Sequence, residues 1–360
     1  MSQPVAVDIV IDNYNYGRFL EAAIDSALAQ RHPHSRVIVV DDGSTDHSRE
    51  VITGYGDRIT TVFKENGGQA SAFNAGWAQC RGDVVIFLDA DDVLLPDVAA
   101  RVAAVFAAAP EAVKVQYRMA VIDEAGQPTG VLKPPRYVRL PTGNLRRSQL
   151  IFPFDLPWTG NSAFSTVALR RILPIPEREF ATSADWYLKH LVPLLGDVVS
   201  LQDVCVCYRV HGSNSYEPAH ATLDMHHVRQ NVRYAAATRR HLRRMAAELG
   251  LTLPPGPILS VSDLANRLTS RKLEPDAHPL PGDRVGRLAL GGAIAAVRRF
   301  DVRWPMKLMF IGWFAAMALA PRRAAAALAV VFFFPERRRR INRLLWMLTR
   351  QAGRPREGGG

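Results

Sequence analysis

Residues 86–92 read Ile-Phe-Leu-Asp-Ala-Asp-Asp, an apolar run that ends in three carboxylates, Asp89, Asp91 and Asp92. Ionised carboxylates are costly to cluster unless a cation or a set of N–H donors neutralises them. Hard oxygen ligands at the carboxyl end of a strand suit Mg2+ or Mn2+, and such an ion can hold a diphosphate. A solvated turn leading into an Asp-capped helix explains the same residues. Both readings stand until the neighbouring segments are considered.

Three further polar clusters close apolar runs upstream. They are Asp12-Asn13-Tyr14-Asn15, then Asp41-Asp42-Gly43-Ser44-Thr45-Asp46, then Glu65-Asn66-Gly67-Gly68-Gln69 with Asn74 and Gly76 a turn later. Each alone is a turn or a helix cap. The elements that carry them alternate. Strand patterns at 5–11, 36–40, 59–63 and 83–88 are separated by helical patterns at 17–30, 44–53 and 70–80, with a further helix at 96–109. Such alternation predicts an α/β fold, a doubly wound, mostly parallel sheet with helices on both faces. Ligands of these sheets sit beyond the carboxyl ends of the strands, where all four clusters fall.

In this order and spacing, Tyr14-Asn15, Asp41-Asp42-Gly43-Ser44-Thr45-Asp46, Asn66-Gly67-Gly68 with Asn74-Ala75-Gly76, and Asp89-Ala90-Asp91-Asp92 resemble the family 2 glycosyltransferases. The resemblance covers about residues 5–215. It implies the GT-A fold and a nucleotide-diphosphate sugar as donor, with UDP expected. By position, Tyr14 would stack on the base, Asp42 would accept a base N–H, and Asn66 and Asn74 would help close the nucleotide pocket. Asp91 and Asp92 would hold a divalent Mg2+ or Mn2+, with Asp89 on the ribose or diphosphate. Asp12 departs from the family, which often has Pro or Thr there.

Two later segments extend the likeness. Thr182-Ser183-Ala184-Asp185-Trp186 resembles the acceptor-side acidic segment, so Asp185 would be the general base, with Ala184 where Glu is usual. Trp158, Gly160 and Asn161, with Trp186, would face the donor sugar and acceptor. Tyr208-Arg209-Val210-His211 resembles the closing segment, in which His211 would join the metal side. The implied reaction is inverting transfer to a hydroxyl of a glycan or lipid-linked acceptor, as in cell-envelope polysaccharide or glycolipid synthesis. Two competing readings are a sugar nucleotidyltransferase and a non-catalytic membrane adaptor. The first loop, Asp12 to Gly17, is acidic and aromatic where a triphosphate would need a basic residue.

The 360 residues carry a net charge of +11, unevenly placed: from Arg284 to the end it is +13, and the first 283 residues sum to −2. The expected division is a catalytic domain at 1–215, a helical extension with linkers at 216–283, and a basic, apolar helical tail at 284–360. In the tail, uncharged runs at 308–320 and 324–334 are each short of the ~20 residues that span a bilayer. With the Arg337–Arg340 cluster they predict attachment to an anionic membrane surface from the cytoplasmic side, and no nucleic-acid partner. Three cysteines make no disulfide framework, and Met1-Ser2-Gln3-Pro4 predicts no cleavable signal.

Overall fold

The computed structural model describes residues 4–136, 138–157, 161–212, 214, 223–253 and 258–334. The chain divides into two compact units. The first takes residues 1–149, 156–214 and 240–253, and the second 150–155, 215–239 and 254–360.

In the first unit, β1 (Val7–Asn13), β2 (Ser35–Asp41), β3 (Thr60–Phe63) and β4 (Val84–Asp89) run parallel in the order β3-β2-β1-β4. Their connections hold α1 (Gly17–Leu28), α2 (Ser48–Gly54) and α3 (Gln69–Trp77). After β4 come β5 (Val93–Leu94), α4 (Val98–Ala108), β6 (Ala112–Ile122), β7 (Pro128–Lys133) and α5 (Arg146–Ile151). Then follow β8 (Ser162–Ser165), α6 (Thr166–Ile172), α7 (Glu177–Phe180), α8 (Ala184–Leu191) and β9 (Asp197–Arg209). The sheet is mixed. β8 lies antiparallel between β4 and β6, and β9 runs parallel to β6. Residues 123–126 turn the chain between β6 and β7, which pair as an antiparallel hairpin.

Both faces of β1 are covered, as its near-continuous apolar run requires. Val7, Ile9 and Ile11 pack with Leu20, Ala23, Ile24 and Ala27 of α1, and each Leu or Ile so buried stabilises by about 1.5–3 kcal/mol. On the other side Val10 meets α3 at Gly76, where an added Cβ would stand 2.4 Å from Val10 Cγ1. Asp8 is tolerated inside this strand because its oxygens accept from Arg36 Nε at 2.9 Å and from the N–H groups of Arg81 and Gly82 at 2.6 Å. The helix expected from Ser44 begins only at Ser48. Residues 41–46 are instead held as a turn: Ser44 N–H donates to Asp41, and Ser44 Oγ accepts from Asn13 Nδ2 and Asn15 N–H.

Helix α9 (Met225–Glu248) gives residues 225–239 to the second unit and the remainder to the first. The second unit continues with α10 (Val261–Leu273), α11 (Val285–Arg298), α12 (Trp304–Leu319) and α13 (Arg322–Phe333). Leu264, Ala265 and Leu268 of α10 form its core with Ala295, Ala296, Phe314, Met317 and Ala329. Asp155 caps α10 by accepting from Val261 N–H and Ser262 N–H, each at 2.8 Å. The two apolar runs of the tail are thus α12 and α13, packed on α10 and α11. Among the described residues no helix is long and apolar enough to cross a membrane. The Arg337–Arg340 cluster lies outside the described residues.

Candidate active site

Parallel pairing of β1 and β4 sets Asp12 directly beside Asp89. Two residues on, the chain turns and adds Asp91 and Asp92. Burial pushes Asp89 well above the usual carboxylate range, and Asp12, Asp92 and Asp91 push it further. Asp12 is pushed up to about 7 by burial, helped by the charge of Asp91 and opposed by a hydrogen bond from Gln69. Its Oδ1 is buried without a hydrogen-bond partner. Among the described residues no Lys or Arg side chain forms an ion pair with Asp12, Asp89 or Asp92.

The three carboxylates expected to act together are used differently. Asp92 is fully buried, with Oδ1 accepting from Arg209 N–H at 3.0 Å and Oδ2 from Asn161 Nδ2 at 2.7 Å. It braces the end of β9 against the start of β8. Asp91 Oδ2 stands 3.0 Å from His211 Nε2 and 3.3 Å from Asn214 Nδ2. The His211 ring is itself packed on Phe19 at 4.7 Å and edge-on to Tyr16 at 5.4 Å. Arg209 directs its guanidinium to main-chain oxygens, those of Asp91 at 2.9 Å and Glu124 at 3.1 Å, and its charge opposes the burial that pushes the Asp91 and Asp92 carboxyls up. Asp89 Oδ1 accepts from Gln69 Nε2 at 3.1 Å.

The donor set suits a hard divalent cation: buried carboxylate oxygens, one of them orphaned, with a histidine at hand. The oxygens do not converge on one point, as mutually repelling carboxylates would not. Among the described residues the one trio of ligand-type atoms within 4.8 Å of one another is Asp224, His226 and His227, at the start of α9. That trio has two exposed members and no buried acid to neutralise.

Raised pKa values of this kind cost stability in a definite window. Folded Asp12 holds its proton up to about pH 7, whereas the unfolded group releases it near 3.8, so stability is lost as pH rises between the two. Asp12→Asn is expected to raise the melting temperature of the metal-free protein at about pH 8 by about 5 °C, the response of a ~200-residue unit to about 2 kcal/mol. Below about pH 4 the two proteins should melt together. Thermal unfolding followed by circular dichroism checks both arms.

The base-side cluster is built on loops that occupy each other. Asp42, buried, accepts from Gly67 N–H at 3.0 Å and Gly68 N–H at 2.7 Å and pairs with Lys64 Nζ at 2.5 Å. Gly43 has φ +78°, and an added Cβ would stand 2.7 Å from Asn66 N, so only glycine fits. Tyr14 and Asn66 are exposed at this edge. Asn74, expected in the nucleotide pocket, instead holds the chain before α7: its Oδ1 accepts from Ile175 N–H at 2.8 Å and its Nδ2 donates to Ile175 O at 2.9 Å. Trp158 and Gly160 lie outside the described residues.

Asp185 stands in the first turn of α8, where Lys189 Nζ donates to its Oδ2 at 3.0 Å. Lys189 also lies 4.9 Å over the Trp186 ring. Two residues here escaped sequence reasoning. Gln69 donates to Asp89 through Nε2 and accepts Ala184 N–H through Oε1 at 3.0 Å, so one side chain ties the acidic cluster to the start of α8. A lone Gln opening a helix gives no sequence signal for this. Lys114 of β6 is wholly buried, its ammonium pushed well below the usual range by burial and by Lys189, with Asp185 opposing. Its one sequence signal is a charge inside an apolar strand. Two surface hollows of about 300 Å3 lie elsewhere, at the amino ends of the strands, lined by residues such as Val5 and Phe106 or Pro33 and Arg81.

A family model described as glycosyl transferase family 2 matches residues 8–172. The chain is 36% identical over 225 residues to the uncharacterized glycosyltransferase alr2836 of Nostoc sp., covering 59% of this chain and 67% of that protein. It is 39% identical over 90 residues to TuaG of Bacillus subtilis, provisionally named a teichuronic acid biosynthesis glycosyltransferase, covering 24% of this chain and 36% of TuaG. Among solved structures it resembles residues 1–349 of S. aureus TarS in complex with UDP-GlcNAc, at a TM-score of 0.50 and 15% identity, covering 91% and 90% of the two chains. That last likeness speaks to the fold.

Proposed function

The chain belongs to glycosyl transferase family 2 and is a glycosyltransferase; from this premise we propose that it moves a sugar from a UDP-sugar to an acceptor hydroxyl with inversion at the anomeric carbon. Membership removes the nucleotidyltransferase and adaptor readings. The observation that carries the proposal is the pairing of two acidic centres by Gln69: the buried carboxylate cluster at the ends of β1 and β4, and Asp185 at the start of α8.

In this reading Asp89, Asp91 and His211 hold the divalent cation, and Asp92 braces them because both its oxygens are already engaged. When bound, the cation would offset the charge of the leaving diphosphate. Tyr14 stacks on the base, and Asp42 shapes the base pocket by holding Gly67 and Gly68. Asn66 lines that pocket, whereas Asn74 acts through the chain at 175. Asp185 takes the proton from the acceptor hydroxyl as it attacks opposite the leaving group, which inverts the configuration. Asn161 and Trp186 border the sugar and acceptor. A cell-envelope glycan or lipid-linked acceptor is supported by the name of TuaG and by the basic, apolar second unit, which we read as attached to a membrane surface.

The test is a panel of nucleotide sugars with and without Mn2+, read by thermal shift, followed by NMR of the product. A UDP-sugar that stabilises the protein only with Mn2+, and a β-linked product from an α-linked donor, are expected. A retained configuration would remove Asp185 from the role of base. Gln69→Leu gives a separate check on positioning. Turnover should fall by up to about 100-fold, the cost of a misplaced base, and Mn2+-dependent donor binding should weaken as well, because Gln69 also donates to Asp89. In an Asp185→Asn background the same change should cost almost nothing further in turnover at saturating donor.

A further inference from the structure

Helix α12 is apolar around its whole circumference, from Leu308 to Leu319, yet only Trp313, Phe314 and Met317 are buried in the unit. A helix of that character is normally covered on all sides. Its outer face instead leaves Leu308 62% and Leu319 87% exposed, and Trp304 in its first turn 61% exposed. The outer face of α11 repeats the pattern at helical spacing, with Leu290, Ile294 and Val297 exposed at 64, 37 and 47%. Single exposed leucines mean little; exposed apolar faces on two helices packed against each other mark a surface that something covers.

Charge identifies what covers it. Residues 284–334 carry eight basic side chains, Arg284, Arg287, Arg298, Arg299, Arg303, Lys307, Arg322 and Arg323, against the single acid Asp301, which is paired with Arg299. A second copy of the chain would bring the same positive face. So would the chain's own terminal segment 335–360, with eight arginines and two glutamates. Only an occupant that is apolar within and anionic at its surface satisfies both properties. We infer that the outer face of α11 and α12 lies in the interface of an anionic lipid bilayer, with Leu290, Ile294, Val297, Trp304, Leu308 and Leu319 in the acyl boundary and the flanking arginines at the phosphates. This deepens the reading of the second unit as membrane-attached and moves the contact. It lies on the outer face of α11 and α12, whose other sides are packed into a helical core.

Flotation of the full chain with phosphatidylcholine vesicles, with and without phosphatidylglycerol, tests the inference. The chain should float with the anionic vesicles only, and high salt should weaken it. Replacing Leu290, Leu308 and Leu319 together by Gln should reduce vesicle affinity by more than about tenfold, since each is mostly exposed and buries its apolar side chain only when lipid is present. The melting temperature and donor hydrolysis of this variant should match those of the parent, because the three side chains lie outside the core and the active site. Gln at positions 337–340 in the full chain should weaken flotation less than the face variant does. The inference is overturned if the face variant floats like the parent, if neutral vesicles bind equally, or if the change at 337–340 alone abolishes flotation. A salt-resistant dimer that the face variant dissociates, with no flotation, would assign the surface to a second copy. Each result leaves the glycosyl-transfer assays free to succeed or fail separately.

Discussion

Asp185→Asn is expected to lower the turnover number by about 10²–10⁴-fold, the range for loss of a positioned general base. Donor affinity, measured by calorimetry, should stay within a factor of about two, since Asp185 is assigned to the acceptor side and not to the nucleotide. The substitution is close to isosteric. Asn still offers an oxygen to Lys189 Nζ, so the i to i+4 contact that holds the side chain in α8 survives. Gln69 still accepts Ala184 N–H, so the helix start stays tied to the acidic cluster. What disappears is the capacity to take a proton. Turnover within about threefold of the parent would place the base elsewhere, because a mere hydrogen-bond acceptor would serve as well.

The second large effect is expected at Asp91. Asp91→Asn keeps an oxygen for His211 Nε2 and Asn214 Nδ2, the contacts that fasten the segment after β9. It removes one negative charge from the cluster. Mn2+-dependent binding of UDP should fall by more than about 100-fold, beyond the upper end seen for residues that only support a metal ligand. Metal-independent binding should change little. Asp92→Asn should differ in kind. Its oxygens accept from Arg209 N–H and Asn161, so an amide placed there would set an N–H against a donor. The expected result is lost thermal stability, with or without Mn2+. If Asp91→Asn bound Mn2+ and UDP like the parent while Asp92→Asn did not, the division of roles would be reversed.

The contrast between Asp91 and Asp92 shows where sequence reading stops. Both lie in one run, with identical chemistry and no difference in local pattern. They part because the Asn161 amide and the Arg209 N–H, 69 and 117 residues away, donate to the carboxylate of Asp92 and not to that of Asp91. Asn74 is a similar case. Its spacing after Gly67-Gly68 suits a nucleotide pocket, but the chain at 175 arrives to use both ends of its amide. Gln69 and Lys114 gave little or no signal, since their roles exist only once α8 and β6 are brought beside them. Likewise the tail's two apolar runs read as anchors, and packing then hid one side of each and left the other bare.

The alternating strands and helices, the polar residues ending each strand, and the excess of positive charge after residue 283 are properties of local pattern and composition. A chain with those periodicities can bury its apolar faces only by stacking helices on a sheet, which sends the polar ends to one edge. The sequence by itself therefore determined the fold class and the edge of the sheet where the site lies. Only the tertiary structure decided which carboxylates at that edge are occupied by protein donors, and by which. Hydrogen-bond satisfaction depends on residues far apart in the chain, and no local pattern records who their partners are.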